Sequence, residues 1–528
     1  MAKRALTSQS PPRTIPEWVV SPWFYLLLAI AAGVVIAQLL TGQLAPRWIK
    51  ALIGLVFLFG LFRLPLYAVV SLFLIAFPFP TWIFVGNTNI VLIVMMLAFW
   101  GVKVRLGKEP APPKTYLDYA AWTYLLVHLL SFLNVGNASD LRNGIYQVSF
   151  LGSAVGLYWL VSKTIRDEHE LEVALKAFVF TSLLVSITGV MDYFYPAVQL
   201  IPDSFIAAGP TGKRFAEGGR VGGVFRFHGL LADFCAILFI LQAYLFVRSR
   251  SLLGKAFYAA LMAAGVFQII VTANRGGFVI WVIGLLYMFW IGRAALTTRR
   301  VVIALPILFV VGYVAEIATA RYGRVVTLFA RLLTTHFESG IPDTRVQVWT
   351  SVLREIPEHI WIGHGPFYDM TRAGAGVLSR NWPHSAYLWY LWTTGIVGLA
   401  VFLWILFKVL WKSRPGKLQF GKVSFAHGAM AVAHIQIVQF ALAQIRDEHQ
   451  RGNVYPFLMW ALIGFAVAAR RIKEEREEAE AEGLEGAPAE LRTPAAGGPR
   501  AGAVSAPSSA PSSTPVDAGP RPRSLYRI

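Results

Sequence analysis

Between Lys255 and Gly292 the chain reads KAFYAALMAAGVFQIIVTANRGGFVIWVIGLLYMFWIG. Two apolar runs, at roughly 255–273 and 276–292, meet at the short stretch Thr272-Ala273-Asn274-Arg275-Gly276-Gly277. Each run is close to the ~20 residues that an α-helix needs to cross a hydrocarbon core. Two such helices joined by a tight turn belong in a bilayer, and the rest of the chain repeats the pattern.

Further apolar segments fall at roughly 22–41, 47–61, 64–80, 84–100, 116–133, 142–162, 171–190, 224–247, 300–318, 384–408, 422–441 and 455–470. Of 528 residues, 56% are hydrophobic and only 15% are charged, whereas an average soluble chain carries ~25% charged residues. Lipid must replace water around much of the molecule. The expected fold is an all-α polytopic membrane protein with about 12–14 transmembrane helices, because some of the segments are short for a full crossing.

The charges between the segments give the orientation. Lys3, Arg4 and Arg13 precede the first segment, and alternate loops carry Arg63; Lys103, Arg105, Lys108 and Lys114; Lys163 and Arg166; Arg248, Arg250 and Lys255; Arg293, Arg299 and Arg300; and Lys408, Lys412, Arg414, Lys417 and Lys422. Basic loops face the cytoplasm, so both termini are expected there. The formal charge of +19 is largely explained by these loops and by the anionic lipids beside them. It offers no separate support for nucleic acid as a partner.

Two loops on the opposite side are too long to be connectors, which usually run to 2–8 residues between helices, about 191–223 and 319–383. The second is expected to be partly helical, since Asp343 can cap a helix through Arg345, Val346, Trp349, Leu353 and Arg354 before Pro357 interrupts it. That helix would lie along the membrane surface. The expected organisation is a cytoplasmic N-terminus at 1–21, a transmembrane domain over 22–470 containing both loops, and a disordered tail over 471–528 rich in Ala, Gly, Pro and Ser. No internal repeat stands out, which weighs against a duplicated transporter. Cys235 is the single cysteine, which excludes an intrachain disulfide framework and a thiolate metal cluster.

The candidate site residues gather on the outer side. Arg275 sits in the hairpin, where Gly276 and Gly277 are expected to let the chain turn sharply; there it either binds a ligand in the room the glycines leave or snorkels to headgroups. Arg345 offers a fork of donors at a helix start, suited to phosphate, or pairs with Asp343 to organise the loop. His384, after Pro383 and in the first turn of the following helix, is able to take a proton near neutral pH or to serve packing. Arg220, Arg226 and His228 add charge and polarity before the 224–247 segment, and His364 lies in Gly363-His364-Gly365-Pro366-Phe367. His427, His434, Gln436 and Gln439 form a polar stripe in 422–441, either for bonds between helices or as a wall facing a glycan. No HExxH motif appears, and no metal is expected.

Arg275-Gly276-Gly277, Arg345 followed by Trp349, Gly363-His364-Gly365-Pro366-Phe367, and Pro383-His384-Ser385-Ala386-Tyr387 running into Gly395 and Gly398 together resemble the O-antigen ligase and polymerase superfamily. The likeness covers roughly residues 200–410. Ser385 stands where the family pattern has Asn after His, and Phe227-His228 replaces a Pro-Asn-like pair.

The resemblance implies an enzyme of the bacterial inner membrane whose active site faces the periplasm. Its donor would be an oligosaccharide on a polyprenyl diphosphate, and its acceptor a glycan or a lipid-linked glycan. Arg275 and Arg345 would hold the diphosphate and offset charge on the leaving group. Arg220, Arg226, His228, His364, Tyr387 and His434 would bind substrate, and His384 would deprotonate or orient the acceptor hydroxyl. With no carboxylate placed as a nucleophile, a single inverting displacement without metal or cofactor is expected. Polymerisation of O-antigen or exopolysaccharide repeats is the expected reaction. Ligation to lipid A core is the alternative, and transport of the same lipid-linked glycan is the competing class.

Overall fold

The computed structural model describes residues 63–79, 88–195, 221–225, 227–292, 341–367, 383–447 and 454–481, with isolated pieces at 60, 215–216, 220, 317, 328 and 337–338. The expected span at 22–41, nearly all of 47–61 and 300–318, the chain after Ala481, Arg226 and the side chain of Arg220 lie outside the described residues.

Every apolar segment that falls within the described residues is a helix. These are α1 (Leu66–Ala76), α2 (Thr88–Arg105), α3 (Asp118–Leu130), α4 (Ala138–Thr164), α5 (Glu168–Phe194), α6 (His228–Arg248), α7 (Leu252–Val271) and α8 (Arg275–Gly292). After them come α9 (Asp343–Glu355), α10 (Ala386–Lys412), α11 (Phe425–Ala443) and α12 (Tyr455–Ala481). Among the described residues nine helices are long and apolar enough to cross a membrane, so the chain is an all-α multi-pass membrane protein. Each long loop also carries a two-residue antiparallel pair, β1 (Phe215–Ala216) with β2 (Arg220–Val221), and β3 (Phe337–Glu338) with β4 (Ile341–Pro342).

Local chemistry sets the helix starts. Side chains of Asn137, Asp167, Ser251 and Ser424 accept the backbone N–H groups of Asp140, Glu170, Gly254 and His427 at 2.8, 2.8, 3.0 and 3.2 Å, satisfying donors that a helix leaves open at its first turn. The first half of α12, from Tyr455 to Ala469, is buried on all sides, as a helix apolar around its whole circumference must be. Centrally placed α6 packs against α7, α8 and α11.

Contacts between helix ends divide the bundle into two faces. On one, Lys163 meets Asp118 at 2.8 Å, Arg248 donates to the Val423 carbonyl, Arg470 to the Lys412 carbonyl, and Arg471 to the carbonyls of Ser162 and Ile165. This is the basic face expected from the loops. On the other, Ala386 N–H donates to the Gln444 carbonyl, Tyr455 to that of Leu230, and Arg446 to Asp233. The helix α12 continues past the composition change at Arg470 as far as Ala481. Arg470 and Arg471 pair four residues on with Glu474 and Glu475, a spacing that supports a helix in water, so 471–481 is ordered where a disordered tail was expected.

The long helix α10 is broken at Gly395, whose backbone lies at φ 66° and ψ −167°. Segment 360–365 enters the break: His364 and Gly365 donate to the Trp392 and Thr393 carbonyls, while Ile396 and Val397 donate to those of Ile360 and Trp361. Irregular backbone inside a membrane protein needs such partners.

Candidate active site at one end of the bundle

The turn between α7 and α8 differs from its sequence expectation in an instructive way. Left-handed backbone falls on Ala273, at φ 47°, while Gly276 and Gly277 are already helical. The two glycines serve close approach instead. A Cβ on Gly276 would overlap the Arg446 guanidinium, and one on Gly277 would run into Ala232 beside Asp233. Asn274 caps α8 by accepting the Gly277 N–H at 2.8 Å.

Arg446 lies in the turn between α11 and α12 and ties this end together. One guanidinium nitrogen reaches Asn274 Oδ1 at 3.0 Å and Asp447 Oδ2 at 2.8 Å, and the other meets Asp233 Oδ1. The Asp233 side chain is fully buried. Burial opposes the charge on Arg446, but Asp233 and Asp447 outweigh it, and its pKa rises above the ordinary arginine value. The ion pairs hold it charged at any workable pH.

His384 stands at the other side of Asp447, with Nδ1 4.0 Å from Oδ1. It does not lie in the first turn of α10, as its position after Pro383 suggested. The helix begins at Ala386 with Ser385 as its N-cap, and His384 precedes it in left-handed backbone at φ 46°. Such a conformation costs a non-glycine residue roughly 1–2 kcal/mol. Neighbours on both sides hold it: Trp349 Nε1 donates to the Pro383 carbonyl at 2.6 Å, and Ala386 N–H to the Gln444 carbonyl at 2.8 Å.

The bond from Trp349 also fixes the surface helix α9, on which Arg345 lies one turn earlier. Val348 and Val352 are buried while Leu353 and Arg354 are exposed, the two-faced pattern expected of a helix lying on the bundle. Arg275 begins α8 immediately after Asn274. Arg275, Arg345 and His384 are thus attached to one cluster through Asn274, Trp349 and Asp447. His228 begins α6 at the same end, its ring against Phe227, and the next residue, Gly229, abuts Asn274.

Three other predicted site residues are engaged elsewhere. His364 stacks on Trp392 with ring centroids 4.6 Å apart, and its Nε2 lies 3.1 Å from the Glu355 carbonyl. Tyr387 donates to the Ala441 carbonyl at 2.8 Å. His434 uses both ring nitrogens, on Tyr287 at 2.8 Å and on Ser413 at 3.1 Å. Ser413 caps the end of α10 remote from His384, so His434 serves packing between helices. Gln436 and Gln439 do likewise, donating to the carbonyls of Ile237, and of Ala236 and Ile280. Sequence reasoning passed over Arg446 and Asp447. One signal was available: an arginine between two apolar runs, in a loop expected on the side opposite the basic loops, departs from the positive-inside pattern.

Residues 257–403, from α7 to the middle of α10, match the family model described as O-antigen ligase. The chain carries an O-antigen ligase-family segment. No curated protein matches it. The O-antigen ligase-family segment contains Arg275, Arg345, His364, His384 and Tyr387, whereas Asp233, Arg446 and Asp447 lie outside it. The likeness of this segment to the O-antigen ligase family is consistent with a glycosyltransferase-like enzyme whose general substrate classes are a lipid-linked glycan and a glycan acceptor. Among the described residues no group of three or more His, Cys, Asp or Glu side chains is arranged to hold a metal ion.

Proposed function

We propose that the protein transfers a glycan from a polyprenyl-diphosphate carrier to an acceptor hydroxyl at the periplasmic face of the bacterial inner membrane, polymerising O-antigen or exopolysaccharide repeat units. The observation that supports this reading is that, at the less basic end of the bundle, Asp447 faces His384, Trp349 of the helix bearing Arg345 bonds to Pro383, and Arg275 starts α8 directly after Asn274, which bonds to Arg446. Both termini would then face the cytoplasm with the basic end.

In this reading Arg275 and Arg345 hold the diphosphate, which suits guanidinium forks and two helix starts. Arg220, Arg226 and His228 extend the binding surface. The acceptor oxygen attacks the anomeric carbon as the bond from that carbon to the diphosphate oxygen breaks. The electron pair leaves with polyprenyl diphosphate, the hydroxyl proton passes to His384, and the configuration inverts. The arginines offset charge that grows on the leaving phosphate, where fixed cations lower the barrier most.

Ligation to lipid A core is the second reading, favoured by the description of the matching family model. Purified protein in nanodiscs, given defined polyprenyl-diphosphate oligosaccharides and either acceptor, separates the two. Longer lipid-linked chains support polymerisation, and transfer to lipid A core supports ligation. Movement of donor between leaflets without any transfer would reject both.

A further inference from the structure

Four side chains from three separate parts of the sequence form a line at the proposed site: Asp233 on α6, the neighbours Arg446 and Asp447 after α11, and His384 before α10. Asp233 is fully buried, and the Arg446 and Asp447 side chains are only 18% and 9% exposed. Buried ion pairs are seldom a source of net stability, and apolar replacements of equal volume often serve as well or better. Their presence here calls for a reason other than folding. Space is also reserved for them, since any side chain at Gly276 would displace the Arg446 guanidinium.

We propose that Arg446 is a positioning residue for glycan transfer, acting through Asp447 on His384. Resting on the function proposed above, the inference assigns a division of labour. Asp233 and Asn274 fix the guanidinium, and the guanidinium fixes one oxygen of Asp447. The other oxygen is thereby turned toward Nδ1 of His384. At 4.0 Å the two groups interact electrostatically and lie beyond hydrogen-bond distance, and a carboxylate on that side favours the proton on Nδ1 and leaves Nε2 as the basic nitrogen. The left-handed backbone of His384 supports this assignment, because a strained conformation pinned on both sides is a mark of a site that needs one geometry.

Arg446 against Asp233 and Asp447 leaves one negative charge in the line, and the proton that His384 takes from the acceptor balances it. Arg275, which follows Asn274 in α8, is assigned to the donor phosphates. Asp447 therefore stabilises the imidazolium without meeting the diphosphate, and its loss should lower turnover while sparing donor affinity.

The test uses full-length protein in nanodiscs with a polyprenyl-diphosphate oligosaccharide donor, comparing D447N, R446M, R446K, H384N and H384N/D447N. D447N and R446M are expected to lower kcat by about 10- to 100-fold, less than the ~10²–10⁴ supplied by a general base itself, with donor Kd within about threefold of the parent. R446K should recover most of the loss. Adding D447N to H384N should cost nothing more, because the residue through which Asp447 acts is already gone. Losses that multiply in the double variant, or a donor Kd that rises as far as kcat falls, overturn the proposal. Should R446M fail to fold, D447N, R446K and the double variant decide it. Full activity in H384N would instead reject the assignment of His384, a separate failure of the underlying reading.

Discussion

Gly363 and Gly395 let two backbones cross in contact. A Cβ on Gly363 would overlap the backbone of Thr393, and one on Gly395 the backbone of Trp361. Both glycines also have left-handed backbone, at φ 71° and 66°. The crossing anchors segment 360–365 in the break of α10, and Asn134 secures it by donating to the Gly363 carbonyl at 2.6 Å.

Gly395→Ala should therefore destabilise the protein by at least ~2 kcal/mol, from left-handed strain together with displaced backbone. Gly101→Ala is the control, since a Cβ there meets nothing within 4 Å and an alanine is worth up to ~1 kcal/mol more than glycine in a helix. Thermal unfolding in nanodiscs compares the two. Equal melting temperatures would mean that the crossing bears no strain.

Gly276→Ala should separate the site from the fold. Its Cβ meets the end of a flexible side chain and not backbone, so Arg446 can yield. Yielding breaks its geometry with Asn274, Asp233 and Asp447. Transfer is expected to fall about tenfold or more, the scale on which displaced catalytic geometry acts, with a smaller change in melting than in Gly395→Ala. Unchanged turnover would show that the position of Arg446 is immaterial.

Much of the fold was legible because lipid imposes a simple grammar. Runs such as 224–247 and 276–292 have few ways to satisfy their backbone except as helices, and they are α6 and α8. For the candidate site, the sequence offers only what a local motif carries, as at Arg275 and His384. It was hidden where residues distant in sequence converge: Arg446 reaches Asp233 across 213 positions, and no periodicity encodes that. Glycine was misleading for the same reason. Gly276 and Gly277 suggested a turn, but the turn falls on Ala273, and what the glycines make room for is supplied by other helices.

The opposite face yields a stability prediction. Arg471 donates to the carbonyls of Ser162 and Ile165, satisfying acceptors that the end of α4 leaves open. Arg471→Met should destabilise by about 1–3 kcal/mol, the range for stranding a buried polar group, while leaving the KM for donor unchanged. A raised KM with normal melting would imply that this face takes part in substrate binding.

Chelation tests the proposed chemistry in another way. Arginines carry the phosphate charge in the proposed mechanism, a task that divalent ions perform in many phosphate sites. Transfer should continue at its initial rate after treatment with EDTA, and added magnesium should not raise it. Loss on chelation and recovery with a divalent ion would require a different account of how the leaving group is stabilised.

His384 allows backbone and chemistry to be separated at one position. At φ 46° alanine bears the same left-handed penalty as histidine, whereas glycine escapes ~1–2 kcal/mol of it and loses ~0.5–1 kcal/mol through greater freedom when unfolded. His384→Gly should accordingly be more stable than His384→Ala by roughly 0.5–1 kcal/mol, and both should lose transfer to the same degree, about 10²–10⁴-fold. Calorimetry and initial rates on the two proteins measure both quantities. If glycine retained activity that alanine lost, the bend of the chain would matter and the imidazole would not, and the proton would have to leave by another group.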